Sequence, residues 1–160
     1  MNTYFLLKTV HIVSSVLLVG TGFGSAFYLF FANRSDSLEA KAVVCRLVVR
    51  ADSWFTTPAV IVQPATGIWM ARIAGWPLQT PWLLTAISLY ALAGACWLPV
   101  VWLQWRMSRM ADAAVVGGGE LSSLYGRYAA VWERLGYPAF GAMLAIFYLM
   151  VNKPSLWGAD

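Results

Sequence analysis

The run from Tyr4 to Phe31 holds a single formally charged side chain, Lys8, and a single histidine, His11. A bilayer crossing needs about 20 consecutive, mainly apolar residues, so this run can span. Three further stretches qualify: about Ser53 to Ile73 with a charged amphipathic lead-in over 38–52, about Pro81 to Trp105, and about Tyr137 to Val151. Signal-peptide cores are shorter, about 7–15 residues, so the first run reads as a retained helix. The expected fold is all-α: a four-transmembrane-helix up-down bundle forming one integral membrane domain over residues 1–160. Composition agrees. Only 11% of residues are charged and 60% are hydrophobic, where a soluble domain carries roughly 25% charged.

Charge placement sets an expected orientation. Eight Lys and Arg residues fall around the loops between spans one and two and between spans three and four (Arg34, Lys41, Arg46, Arg50, Arg106, Arg109, Arg127, Arg134). The other side has Lys8, Arg72 and Lys153. The positive-inside rule then puts both termini in the periplasm of a bacterial inner membrane. The formal net charge of +4 comes from these short loops, so it points to topology and lipid headgroups rather than nucleic acid. Trp102 and Trp105 suit one interfacial belt and Trp76 and Trp82 the other. The charged group near the basic face (Arg46, Arg50, Asp52, Arg127, Glu133, Arg134) fits lipid phosphates and internal pairs such as Asp52–Arg134, with a site for an anionic substrate as the alternative. Cys45 and Cys96 fall at different depths, too far apart to pair.

His11 is the chemically distinctive residue. An ionisable ring inside a span is costly and marks a functional site, and imidazole is the commonest haem ligand. At about 1.5 Å per residue His11 lies roughly 10 Å below the outer surface. Helical spacing sets His11, Ser15, Leu18, Gly22 and Ser25 on one stripe with room for a flat ligand. A porphyrin there would direct its propionates to the outer cations Lys8, Arg72 and Lys153. With no second histidine in the chain, a bis-histidine site is excluded, and Met143, Met70 and Tyr90 are the candidate second ligands. Gly20 and Gly24 form a small-xxx-small pair, suited to helix packing or a homo-oligomer. Pro58 and Pro64 kink the second span, with Thr or Gln side chains able to satisfy the freed carbonyls.

The segments Leu6-Leu-Lys-Thr-Val-His11, Phe31-Ala-Asn33, Thr57-Pro-Ala59, Gly67-Ile-Trp69, Trp82-Leu-Leu84 and Val151-Asn-Lys-Pro154 resemble, in order and spacing, the HemJ-type membrane protoporphyrinogen oxidases. Phe55–Pro64 and Trp97–Gln104 resemble more closely a domain-of-unknown-function family of bacterial integral membrane proteins related to HemJ and to CopD copper-resistance proteins. The resemblance implies a four-helix bundle that binds haem b through His11. The helix-three lysine implicated in HemJ activity has no counterpart around Thr85–Ile87, and a further family histidine falls near Trp97. The expected function is a haem-binding membrane protein with a redox role toward quinone or a porphyrin-type substrate. The alternatives are a CopD-like copper handler, for which two methionines make a poor soft-metal site, and an accessory structural subunit.

Overall fold

The computed structural model describes residues 3–157, and the chain is helical almost throughout. Helix α1 spans Thr3–Arg34. It is proline-free, and Arg34 closes it by donating to the Phe30 carbonyl at 3.2 Å. Ser37 then caps α2 (Leu38–Ala51), accepting from the Ala40 N–H at 3.1 Å. A π-helical turn, Asp52–Thr56, joins α2 to α3 (Thr57–Ile73) with no interruption of the helical backbone. Its cause is in the sequence. Pro58 has no N–H to return to residue 54, and the ladder widens so that the Thr57 N–H reaches the Asp52 carbonyl. Helix α4 is Pro81–Gly117, with Pro81 in its first turn and Gly118 in the left-handed conformation (φ 60°) at its end. Helix α5 is Ser123–Asn152.

Among the described residues three helices are long and apolar enough to cross a membrane: α1, α4 and α5. Helix α3 has 17 residues, about 26 Å of helix, and falls short by itself. Helices α4 and α5 also run well past the expected bounds of Trp105 and Tyr137. The extra turns are held by packing. Ala42, Cys45 and Val48 of α2 form one stripe against Leu103, Met107 and Ala111 of α4. Tyr125 and Trp132 of α5 and Leu29 of α1 complete that core. The arginines that end an apolar run in the sequence (Arg106, Arg109, Arg127 and Arg134) are exposed and do not stop these helices.

Helix α1 packs chiefly on α3, and α5 on α4, while α1 and α5 meet at few points. Those points are a stacked Phe23–Phe140 pair, 5.4 Å between centroids, and an Arg34–Glu133 ion pair at 3.0 Å. Arg46–Asp112 ties α2 to α4. At the opposite end, Trp82, Leu83 and Ala86 of α4 pack with Ala71 of α3 and Leu149 of α5. A hollow is left where the two helix pairs face each other.

Candidate functional site

His11 lies against α3, with α1 and α3 antiparallel so that residue 11 meets 66 and residue 14 meets 63. The Thr66 hydroxyl donates to the Val62 carbonyl at 2.7 Å. Its oxygen is therefore the acceptor for His11 Nδ1, 2.9 Å away. On the other edge of the ring the Gln63 amide nitrogen lies 3.0 Å from His11 Nε2. The amide is turned that way because Ser14 Oγ donates to Gln63 Oε1. One donor chain results: Ser14 to Gln63 to His11 to Thr66 to the Val62 carbonyl. It requires a neutral ring with its proton on Nδ1. Gly67 makes the close approach possible, since a Cβ there would lie 3.0 Å from His11 Cε1.

Nδ1–H held by an oxygen acceptor suits a metal-binding imidazole. Nε2, the nitrogen that would face iron, is taken by Gln63, so neither ring nitrogen is free in this arrangement. The expected second ligands do not converge on the ring. Met143 and Tyr90 line the hollow between the helix pairs, and His11 is not part of that lining. The Tyr90 hydroxyl donates to the Val60 carbonyl at 2.8 Å. Met70 is a half-buried residue of α3. Of the outer cations, Lys8 and Arg72 are exposed. Arg72 edges a shallow recess with Ala65, Ile68 and Trp69. Lys153 sits over the rings of Trp76 and Trp82, at 5.8 and 5.7 Å. Among the described residues no three His, Cys, Asp or Glu side chains come together as metal ligands.

The hollow is a cavity of about 530 Å³. That lies within the 300–1,000 Å³ typical of small-molecule sites. Leu18, Gly22 and Ser25 of the His11 stripe line it, along with aromatic residues of α1, α4 and α5. Glycine keeps it open: Gly22, Gly94 and Gly136 line it, and a Cβ on any of them would meet nothing within 4 Å. The same holds for Gly20 and Gly24, so the glycines of α1 are not packed against another helix of this chain.

Polar groups gather on one part of this lining. Asp52 is 5% exposed and its Oδ1 accepts from the Thr56 hydroxyl at 2.8 Å. The Gln104 side chain lies beside the Asp52 carboxyl as a neutral neighbour. Gln104 Oε1 and Trp97 Nε1 are buried with no hydrogen-bond partner. Asp52 therefore sits with Thr56 and Gln104, and the expected Asp52–Arg134 pair is replaced by Arg34–Glu133 and Arg46–Asp112. Sequence reasoning passed over Gln104, Thr56 and Trp97 as site residues. The one signal available was an acidic residue opening an apolar run six residues before a proline.

At the α2 end, Cys45 donates to the Tyr125 hydroxyl (3.4 Å), which donates to Asn33 Oδ1 (2.7 Å). Burial pushes the Cys45 thiol above its ordinary value. Both cysteines are free.

Comparison with curated proteins and with solved structures gives no match. The profile of one family, described as predicted integral membrane protein (DUF2269), matches residues 5–154. Nearly the whole described chain is covered, including α1 with His11, the π turn and every helix that lines the cavity, and the chain belongs to the DUF2269 family of integral membrane proteins.

Proposed function

We propose that this protein binds a lipophilic small molecule inside the membrane, in the cavity between the α1–α3 and α4–α5 pairs. The observation that carries this reading is the cavity itself: about 530 Å³, mostly apolar walls, and three glycines from three helices that leave it unfilled. An apolar recess of this size with a few polar groups on one part of its lining is the usual form of a small-molecule site. The sparse contact between α1 and α5 gives a membrane-dissolved molecule a lateral way in. In this reading the π turn and α3 together form a fourth crossing, and the arginine-rich α2 end faces the cytoplasm. Equilibrium dialysis of triphenylphosphine oxide, a neutral probe, against protein in phosphatidylcholine nanodiscs tests the reading, with empty nanodiscs subtracted. Saturable binding to wild type, strongly weakened in both Gly94→Leu and Gly22→Leu, is expected. Equal uptake by wild type and both variants overturns it.

Haem b ligation by His11, with a redox role, is a second reading. One observation favours it: Thr66 Oγ1 lies 2.9 Å from His11 Nδ1, an oxygen suited to accept an Nδ1 proton and leave Nε2 as the basic nitrogen a metal would use. Bound haem would supply one-electron chemistry. Thr66 would orient the ring, and Gln63 would have to turn away. Visible spectra of protein made with ample haem decide it. Haem ligation predicts a Soret band that His11→Ala removes and Gln63→Ala strengthens. A band unchanged in His11→Ala, or none in wild type, ends this reading.

A further inference from the structure

We propose that the occupant of the cavity is an organic cation, recognised by the carboxylate of Asp52 with Gln104 beside it; this rests on the reading of the cavity as a ligand site. The charge of the lining is the first argument. It includes two acidic residues, Asp52 and Glu133, and no lysine or arginine. Glu133 is already compensated. Arg34 binds it at 3.0 Å, and the Tyr137 hydroxyl donates to it at 2.9 Å. Asp52 has no such partner. The ion pairs among the described residues are Arg34–Glu133 and Arg46–Asp112, and Asp52 keeps only the neutral groups Thr56 and Gln104.

A carboxylate this deeply buried is costly unless it takes up a proton or a positive charge meets it, and a bound cation would hold it ionised. Gln104 stands beside it in the lining. The Gln104 side chain is 4% exposed and its Oε1 has no partner. A carboxylate with no ion-pair partner at this end of the cavity attracts a positive head. An anion or a bare carbonyl would face repulsion there.

The walls serve the same ligand. Phe23, Phe27, Phe30, Trp97, Trp132 and Phe140 line the cavity, and aromatic rings attract a desolvated cation through their negative faces. A bulky hydrophobic cation thus finds apolar area, aromatic faces and one carboxylate without an ion-pair partner in a single space.

The test uses three probes of related shape and different charge in the same nanodiscs: tetraphenylphosphonium, tetraphenylborate and neutral triphenylphosphine oxide. Wild type should hold tetraphenylphosphonium more tightly than the neutral probe and reject tetraphenylborate. Asp52→Asn should weaken tetraphenylphosphonium binding by about tenfold or more while leaving the neutral probe bound, which shows that the cavity still forms. Tetraphenylborate binding as well as tetraphenylphosphonium, or unchanged tetraphenylphosphonium affinity in Asp52→Asn, overturns the inference. If the neutral probe binds and Gly94→Leu abolishes it, yet tetraphenylphosphonium does not bind, the cation inference fails and the cavity reading stands. If none of the three binds, both fail.

Discussion

The Tyr90 hydroxyl donates to the Val60 carbonyl at 2.8 Å, and Val60 stands four residues before Pro64. Proline at 64 has no N–H to return to that carbonyl. Inside a membrane helix the orphaned oxygen needs a donor from elsewhere, and α4 supplies it from across the cavity. Tyr90 thus satisfies the backbone of α3, where the sequence alone suggested an iron ligand.

Replacing Tyr90 with Phe should therefore cost about 1–2 kcal/mol, the penalty for an unsatisfied buried acceptor. In a Pro64→Ala background the backbone N–H is restored, and Tyr90→Phe should cost much less. A double-mutant cycle from unfolding in mild detergent measures this coupling. Additive effects would show that Tyr90 does not act through the Pro64 gap.

The glycines divide into two kinds. Gly67→Ala would press a Cβ to within 3.0 Å of His11 Cε1, so it should destabilise by about 1–3 kcal/mol. Gly94→Ala meets nothing within 4 Å and should be neutral or gain up to about 1 kcal/mol from helix propensity. Paired melting curves separate them. Equal melting temperatures for the two variants would contradict the His11–Gly67 packing.

Cys45 gives a pH signature. Its folded-state thiol is raised by burial, so the unfolded chain ionises it first as the pH climbs. The neutral thiol's contribution is fully present below the unfolded value. It is lost as the pH rises through the ordinary thiol range toward the raised folded one. Stability between neutral and alkaline pH should therefore fall less steeply in Cys45→Ala than in wild type. In a Cys96→Ala background, alkylation of Cys45 should be slow in the folded protein and fast in denaturant. Rapid modification of the folded protein would show that the Cys45–Tyr125–Asn33 chain is open.

Orientation is checked with single cysteines in a Cys45→Ala, Cys96→Ala background. Position 155, beyond α5, should react with an impermeant maleimide added to the periplasmic side. Position 118, in the α4–α5 loop, should react only after permeabilisation. The reverse pattern would invert the proposed topology.

Much of the architecture could be read directly from residue order. Long apolar runs with sparse charge dictate membrane helices, because lipid leaves the backbone no partner but itself, and α1 was visible almost to its ends. Pro58 and Pro64 marked where the second helix would be disturbed. The lengths of α4 and α5 were not legible. Their outer turns are amphipathic, and an amphipathic helix has a defined length only once a partner such as α2 covers its apolar stripe. The site moved for the same reason. A lone histidine in an apolar run announces a polar partner without naming it, and packing against Gly67 brought Gln63 and Thr66 to its two nitrogens. Asp52 and Gln104 are 52 residues apart in the chain. Only the way α4 passes the π turn brings them together beside a cavity. The sequence by itself determined a helical membrane protein. Tertiary structure alone decided which polar residues meet and where space is left, because hydrogen bonds and voids belong to pairs of helices and no single run encodes them.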